Sequence, residues 1–187
     1  AQDAKAEVNA SISRLFTYAA YADKYGGTVQ ETTLQGVVLA TNEPVGVIAI
    51  GCPAQRPLLA MISLLAPALS RGNAVVLVPS FSYPLLATDL YQVLETSDVP
   101  AGVVNIVTGR EEALMKTLAE HQGVEGVWYF GSREGMINVE HRASESMKRS
   151  WVEEDGRDWM DRKQGEGEEF LRHSCYVKNI WIPFKAG

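Results

Sequence analysis

The sequence has few cysteines and histidines, no long apolar run and no excess of positive charge. Its two cysteines, Cys52 and Cys175, do not have the spacing of a metal site, so we expect reduced thiols in a cytoplasmic protein. No run approaches the roughly 18 apolar residues that span a bilayer, which argues against a membrane protein. The net charge of −6 argues against nucleic-acid binding. We expect His121, His141 and His173 to be polar surface residues, since none has a Cys or Asp partner in the pattern.

The start of the chain lacks the features of a targeting segment. AQDAKAEVNAS has neither the apolar stretch of a signal peptide nor the Arg-rich bias of a transit peptide. There is no initiator Met, and we expect the chain to be a piece of something longer. Its 187 residues suffice for one full core, and 46% hydrophobic and 21% charged residues are typical of a soluble globular protein.

Most of the negative charge lies in one segment. Residues Glu153 to Glu169 include eight acidic side chains and three basic ones, Arg157, Arg162 and Lys163. Such a segment is typical of a solvated or disordered loop, and less often of an interaction tail. We therefore predict an acidic linker over residues 153–172.

The first part of the chain predicts a helix followed by extended structure. Apolar residues recur at helical spacing between Ala6 and Lys24, at Val8, Ile12, Leu15, Phe16, Ala19 and Ala22. Gly26-Gly27 ends this helix. A strand or hairpin over Thr28 to Leu39 and a buried strand over Val45 to Ile50 follow. The predicted units are an N-terminal helix over 1–27 and an arm hairpin region over 28–43.

Residues 44–152 show strands and helices in alternation. The pattern predicts helices over Pro57–Leu69, Pro84–Leu94 and Glu111–Glu120, and from Gly131-Ser132 to about Ser144, and strands over Ala74–Val78, Val103–Val107, Val124–Phe130 and Lys148–Val152. The strands are apolar runs without a polar face, which predicts a doubly wound α/β domain with a parallel sheet covered on both sides. The terminal unit, 173–187, contains a strand over Cys175 to Pro183 that needs a sheet to join.

Three separated blocks carry a family resemblance: PVGVIAIGCPAQRPLL, APALSRGNAVVLVPSFSYP and PAGVVNIVTG. Their order and spacing resemble the aldehyde dehydrogenases. That family joins a Rossmann-like NAD-binding domain, a catalytic domain with a cysteine nucleophile, and a β-arm that makes dimers. The short tail with KNIWIP and the altered motifs are most similar to the degenerate, non-catalytic C-terminal module of the family-sixteen branch. The resemblance implies the cofactor-domain fold with β-arm strands and with the catalytic domain missing.

The positions that hold the ribose and the oxyanion in the family are altered here. The family's Pro-Trp-Asn-Phe-Pro begins at Pro53 and places Gln55 at the oxyanion-amide position. The extra methylene of Gln55 would misplace its amide, and a shift of about 1 Å can cost roughly a hundredfold in rate. In the family's Lys-Pro-x-Glu, Val78 and Phe81 replace the two residues that grip the adenosine ribose. An unpaired ribose argues against tight NAD binding.

The phosphate positions are also altered. The resemblance places Gly109 at a turn whose second glycine is Glu111, and a carboxylate there would repel a pyrophosphate, offset in part by Arg110. Gly131 and Ser132 remain at a helix N-terminus. The implied cofactor-binding positions are therefore Pro53, Gly109, Gly131 and Ser132. We expect no tightly bound cofactor, and NAD if any, and we predict no metal.

Catalysis by the isolated chain is not expected. The family's general-base glutamate corresponds to Glu153, but the stretch that follows is too short to fold a catalytic domain with a nucleophilic cysteine. Cys175 precedes a segment that resembles the family's terminal arm strand, so we expect it on or near an edge strand. We expect Cys52 to be buried as a small apolar side chain. The chain alone is predicted to be inactive.

Three functions are consistent with these observations. The first is a non-catalytic module for oligomerisation or protein interaction within a larger dehydrogenase chain. Its arm would pair by strand addition with a dehydrogenase domain of the same or another chain, giving a homo-oligomer, without nucleic acid or membrane. The residues expected to hold this partner are Val177, Ile180, Trp181, Ile182 and Phe184.

The second is a fragment of an NAD(P)-dependent aldehyde dehydrogenase, an oxidoreductase acting on the aldehyde or oxo group, that contributes a cofactor-binding half. The third is a nucleotide-binding regulator that uses Ser132 and Arg110.

Overall fold

The computed structural model describes residues 2–33 and 36–183. Its helices are α1 Gln2–Tyr21, α2 Pro57–Ser70, α3 Leu85–Glu95, α4 Glu111–Glu120, α5 Arg133–Ser144, α6 Arg162–Gly165 and α7 Glu168–His173. Its strands are β1 Thr28–Thr32, β2 Gly36–Pro44, β3 Val47–Gly51, β4 Ala74–Val78, β5 Val104–Ile106, β6 Gly126–Gly131, β7 Arg149–Glu154 and β8 Cys175–Pro183. Within these residues no helix is long and apolar enough to cross a bilayer.

Five strands form a parallel sheet in the order β5-β4-β3-β6-β7, which confirms the predicted α/β class. Strand residues alternate between two cores, because successive side chains point to opposite faces. Ile48 and Ile50 pack with α2 in the larger core, whereas Ala49 packs with α4 and α5 in the smaller one. Helices therefore cover both faces. The reversal of strand order around β3 opens a crevice at the carboxyl ends of the strands.

A second sheet has three antiparallel strands in the order β1-β2-β8. The predicted terminal strand does join a sheet, because β8 pairs along the whole of β2, from Gly36 opposite Pro183 to Pro44 opposite Cys175. We call these three strands the arm sheet. Two parts of the arm prediction lie outside the described residues: the turn at positions 34–35 and the side chain of Phe184.

The helix α1 is present, but the apolar face predicted from its spacing is not the one that it buries. Val8, Ile12 and Phe16 are exposed, and Leu15 is too, whereas Ser11, Arg14 and Tyr18 are buried. Arg14 donates to Ser63 Oγ at 2.8 Å and to the Trp159 carbonyl at 3.1 Å, and forms an ion pair with Glu166 at 3.1 Å. Periodicity locates the helix correctly. It gives the wrong face because the contact is a polar network and not an apolar seam.

The acidic segment is not a solvated loop, so that prediction is wrong. It contains α6 and α7, and it buries Trp159, Phe170 and Leu171 in the larger core. The Arg157 guanidinium lies 5.4–5.9 Å from four aromatic ring centres, those of Phe130, Trp151, Trp159 and Phe170. Counting charges does not reveal the widely spaced aromatic residues of this region. Their burial gives the segment an ordered structure.

Candidate cofactor cleft

A cleft of about 630 Å³ lies at the carboxyl ends of the parallel strands. The loops after β3, β4, β6 and β7 and the start of α4 supply its walls, as expected for a doubly wound sheet. We call it the carboxyl-end cleft. Its lining residues are Pro53, Ala54, Phe81, Arg110, Glu111, Glu112, Tyr129, Phe130, Gly131, Ser132 and Asp155.

Three of the four predicted cofactor positions meet in this cleft. Pro53, Gly131 and Ser132 line it, whereas Gly109 does not. A Cβ placed on Gly109 would lie 3.1 Å from Leu114 Cδ1. Glycine at this position therefore leaves room for the side chain of Leu114 in α4. The roles of these residues toward a cofactor stay predictions.

Glu111 is the first residue of α4, and it turns its carboxylate into the protein. Its Oε1 atom is buried without a hydrogen-bond partner. Burial, with a smaller contribution from the nearby Asp155 charge, raises the pKa of Glu111 to about 7. The pKa of Asp155 is raised as well, by burial and then by Glu154. The carboxyl-end cleft thus holds three carboxylates, Glu111, Glu112 and Asp155, in the region where the resemblance would place a pyrophosphate.

The Ser132 side chain forms its hydrogen bond within its own helix. Its hydroxyl caps α5 by accepting a hydrogen bond from the Gly135 N–H at 3.1 Å. The ring of Tyr129 fills the space beneath this turn, and a Cβ at Gly135 would lie 2.1 Å from the Tyr129 hydroxyl. The residue at 135 is therefore restricted to glycine by Tyr129, a cleft residue that sequence reasoning did not single out. The signal that was available in the sequence is a tyrosine two residues before Gly131 and six residues before Gly135.

The two residues at the positions where the resemblance implies ribose contacts have no polar side chain. Val78 ends β4 and is fully buried in the smaller core. Phe81 is 63% exposed and presents an apolar ring to the cleft. A ribose hydroxyl placed there would lose its hydrogen bonds to water without gaining others.

The predicted catalytic positions lie outside the cleft. Gln55 is exposed between β3 and α2 and is not a lining residue. Glu153 is held by its neighbours: Trp151 Nε1 donates to its Oε1 at 3.0 Å, and Arg157 Nε donates to its Oε2 at 2.9 Å. A carboxylate that already accepts from an indole and a guanidinium is poorly placed to take a proton from a substrate or a water.

Neither cysteine is an activated thiol. Cys52 is fully buried, and burial raises its pKa. Cys175 is buried at the start of β8, where its thiol donates to the Leu171 carbonyl at 3.2 Å, and burial raises its pKa too. A nucleophilic cysteine needs a lowered pKa and access to solvent. Neither residue lines the carboxyl-end cleft.

One of the three histidines, His173, is not the polar surface residue that the sequence predicts. His121 and His141 are exposed. His173 stacks on Trp151, with ring centres 4.0 Å apart and planes inclined by 6°, and its Nδ1 is buried without a partner. Burial, and then the charge of Arg149, lowers the pKa of His173 to about 4. His173 is therefore a neutral packing residue at the end of α7.

Taken together, the residues present do not fit a dinucleotide held as the family holds it. The ribose positions are apolar and the pyrophosphate region is acidic. The remaining glycines and Ser132 serve the packing of Tyr129 and the cap of α5.

Comparison with known proteins gives one consistent result. The aldehyde dehydrogenase family model matches residues 1–160. The NADP/NAD-dependent aldehyde dehydrogenase PuuC of Escherichia coli is 36% identical over 141 residues, which are 75% of this chain and 28% of that protein. Human retinaldehyde dehydrogenase 3 is 32% identical over 152 residues, 81% of this chain and 30% of that protein.

Solved structures agree. A gamma-glutamyl-gamma-aminobutyraldehyde dehydrogenase from Burkholderia cenocepacia superposes with a TM-score of 0.75 at 36% identity, covering 80% of this chain and 30% of that one. A P. syringae indole-3-acetaldehyde dehydrogenase mutant, in complex with NAD+ and IAA, superposes with a TM-score of 0.76 at 36% identity, with the same coverage. The chain thus spans less than a third of the length of each of these relatives.

Proposed function

The chain belongs to the aldehyde dehydrogenase family, and from that premise we propose that it is the cofactor-domain portion of an NAD(P)-dependent oxidoreductase acting on aldehydes. The observation that carries this proposal is the parallel sheet with an open cleft at its carboxyl ends, in an arrangement shared with solved aldehyde dehydrogenases. The names of the relatives support the reaction class. Since the chain covers under a third of those relatives, activity and substrate belong to the proposal.

Within that protein, the role proposed for this portion is structural. The carboxyl-end cleft lacks ribose partners and holds Glu111 and Asp155, while the fold around it is intact. The two thiols are buried, so turnover of an aldehyde would need a nucleophile from elsewhere. An intact fold without ribose partners and without an accessible thiol is what we expect of a cofactor domain that is retained as a scaffold. The similarity to the non-catalytic module of the family-sixteen branch stays part of this proposal.

Restoring family-like residues tests whether the cleft descends from a dinucleotide site. Glu111→Gly removes the buried carboxylate, and Phe81→Glu restores an acceptor for ribose hydroxyls. We expect the double variant to bind NAD+ at least tenfold more tightly than the unmodified chain in calorimetric titration. Tyr83→Glu is the matched control, because it adds a carboxylate at an exposed site outside the cleft. Equal affinity in the double variant and the control would contradict the proposed descent.

The arm sheet is the proposed point of attachment to another dehydrogenase-type domain, of the same or another chain. Its support is the exposure of apolar residues along β8: Val177, Ile180, Trp181 and Ile182 are 40–65% exposed. Exposed aromatic and β-branched residues on an edge strand favour strand addition. We expect Trp181→Glu to lower the assembly mass seen by light scattering, whereas Val93→Glu, at an equally exposed site on α3, should not. An unchanged mass in Trp181→Glu would contradict this role.

A second candidate is that the cleft still contributes a cofactor-binding half. The observation in its favour is that a structural relative of the same fold is in complex with NAD+. Titration of the unmodified chain separates the two candidates, since micromolar NAD+ binding would favour the second.

A further inference from the structure

Residues 157–166 form a loop between two glycines whose backbone lies in the left-handed region. Gly156 has a φ of 145° and Gly167 a φ of 126°. A Cβ at either glycine would meet no atom of the described residues within 4 Å, so backbone conformation, and not crowding, favours glycine there. Glycines absorb large changes of φ and ψ, as hinges do. We call residues 157–166 the strap and the two glycines its hinges.

Hydrogen bonds within the strap make it one compact piece. The Arg157 guanidinium donates to the Gln164 carbonyl at 2.6 Å, and the Asp158 N–H donates to the Gln164 side chain at 3.1 Å. The Gly165 N–H donates to the Asp161 carbonyl at 2.8 Å. Compact surface loops of this kind are frequently functional. Most of the strap lies beyond residue 160, where the match to the family model ends.

Trp159 is the apolar anchor of the strap. It is 2% exposed, and its ring centre lies 5.4 Å from that of Phe130 and 6.4 Å from that of Phe170. Further contacts are polar, since Arg14 of α1 donates to the Trp159 carbonyl and forms an ion pair with Glu166, each at 3.1 Å. An element held by one large buried side chain and several polar contacts should open more readily than the parallel sheet beneath it.

Arg157 is the second anchor, and it lies in a pocket with the chemistry of a guanidinium receptor. The ring centres around it lie 5.4–5.7 Å from its guanidinium carbon, and two carboxylates accept hydrogen bonds from it at 2.9 and 3.0 Å. Aromatic faces and carboxylates are the groups that bind a planar guanidinium. We call these side chains from outside the strap the guanidinium pocket: Phe130, Trp151, Phe170, Glu153 and Glu169.

We propose that the strap opens about Gly156 and Gly167, and that the guanidinium pocket takes up a free guanidinium group whenever Arg157 leaves it. In the closed state Arg157 is a ligand tethered to its own pocket. Its high effective concentration excludes a soluble cation at ordinary concentrations. The inference does not depend on whether the chain binds a dinucleotide.

The strap also borders the carboxyl-end cleft. Phe130 lines that cleft and packs against Trp159. Asp155 lines it too, and the Gly156 hinge follows directly. Opening of the strap therefore changes two parts of the cleft wall.

Native-state hydrogen exchange at several urea concentrations tests the opening. We expect strap amides to be protected about tenfold less than those of β3 and β4, with a smaller dependence on urea, because opening of the strap alone exposes little surface. Gly167→Ala should speed exchange in the strap about tenfold further, since alanine strains the closed conformation. Gly26→Ala is the matched control, because Gly26 also has open surroundings but no left-handed φ.

Equal protection and equal urea dependence of the strap and the sheet would overturn the hinged opening. So would a Gly167→Ala variant whose strap exchanges as in Gly26→Ala.

Chemical rescue tests the guanidinium pocket. Arg157→Ala removes the tethered ligand and leaves the pocket, and we expect strap exchange about tenfold faster than in the unmodified chain. Methylguanidinium at millimolar concentration should reverse most of this acceleration, whereas sodium chloride at the same ionic strength should not. Adding Glu169→Gln to Arg157→Ala should raise the half-maximal rescue concentration about tenfold. Glu168→Gln, at the exposed neighbour, is the matched control.

The guanidinium pocket would be contradicted by equal rescue with sodium chloride, by no rescue, or by rescue that Glu169→Gln leaves unchanged. If Arg157→Ala unfolds as a whole, with strap and sheet exchanging alike, the strap is not a separate element and the inference fails. The NAD+ titrations that test the proposed function are independent of either result.

Discussion

At the scale of single residues, Glu111 determines what the carboxyl-end cleft can hold. The resemblance implies that it takes the place of a glycine that lets the backbone approach a pyrophosphate. The replacement was readable from the sequence, and it predicted repulsion of phosphate. The sequence did not reveal that the carboxylate is buried with an unpaired oxygen and that its pKa is raised to about 7, because burial depends on how α4 packs against β3, β4 and β6.

Glu111 should make the stability of the protein depend on pH above 5. Its pKa in the folded chain is about 7, above the ordinary value of 4.5, so the folded state binds its proton more tightly. That stabilisation is present at pH 4.5 and below, and it is lost as the pH rises from 4.5 through 7. We expect Glu111→Gln to raise the free energy of unfolding at pH 8 by about 1–3 kcal/mol, because the neutral amide avoids the cost of keeping an ionised carboxylate buried.

Urea unfolding at pH 8 and pH 4.5 measures this difference. The exposed neighbour Glu112, changed to Gln, is the control and should alter stability little at either pH. A gain for Glu111→Gln that is the same at both values would show that the carboxylate does not titrate as described.

His173 should change the stability of the protein with pH in the opposite direction to Glu111, so that stability is lost as the pH falls. Its pKa of about 4 in the folded chain lies below the ordinary 6.5, so its neutral form is favoured by folding. The associated stability is complete above pH 6.5 and is lost as the pH falls from 6.5 through 4. We expect His173→Phe, which keeps a ring on Trp151, to reduce the loss of stability between pH 7 and pH 4.5.

The measurement is again urea unfolding, with the exposed His141→Phe as the matched control. Equal acid sensitivity in His173→Phe and the unmodified chain would contradict the packing of a neutral imidazole against Trp151.

At the scale of secondary-structure elements, α1 and the acidic segment stabilise each other. Arg14 is buried between them and pairs with Glu166, and the Tyr18 hydroxyl accepts a hydrogen bond from the Gly167 N–H at 3.2 Å. The buried residues of α1 include the polar Ser11 and Arg14, and the acidic segment contributes Glu166 to the same contact. The exposed apolar side of α1 is the consequence.

Removing Arg14 should therefore cost far more than removing a surface arginine. Arg14→Met leaves the Glu166 carboxylate buried beside an apolar group, and we expect a loss of about 3–5 kcal/mol in the free energy of unfolding. Arg162 pairs with the same carboxylate from the solvent side, and Arg162→Met is the matched control with an expected loss within about 1 kcal/mol. Chemical denaturation compares the two, and similar losses would contradict the buried role of Arg14.

The bounds of several strands and helices were easier to predict from the sequence than the polar contacts. β4, α4 and β8 have the predicted bounds, because apolar runs between turn residues are local signals. The inward face of α1 and the order of the acidic segment could not be read locally. They depend on partners more than 140 residues away, such as Gly165 for Arg14.

The same limit applies to the site. The sequence predicted which family positions are replaced, and the structure places Pro53, Gly131 and Ser132 together in the cleft. It did not predict that Glu153 is held by Trp151 and Arg157, or that Tyr129 accounts for the glycine at 135. These are contacts between side chains whose roles differ from those implied by resemblance.

At the scale of the whole molecule, the parallel sheet, its two cores and the carboxyl-end cleft form one Rossmann-like α/β unit. Of the four residues that the resemblance implies are altered, Phe81 and Glu111 line the cleft, whereas Val78 is buried in the smaller core and Gln55 lies outside the cleft. A fold of this kind needs its glycines and apolar runs for packing, independently of any ligand. The arm sheet adds a strand, β8, whose apolar residues Val177, Ile180, Trp181 and Ile182 are exposed.

The central claim, that the fold is retained while its dinucleotide contacts are not, is tested most directly by calorimetric titration of the unmodified chain with NAD+ at pH 8, where Glu111 is predominantly ionised. We expect no binding at micromolar concentrations and a dissociation constant that is in the millimolar range or higher. Saturable micromolar binding, with one NAD+ per chain, would contradict the claim.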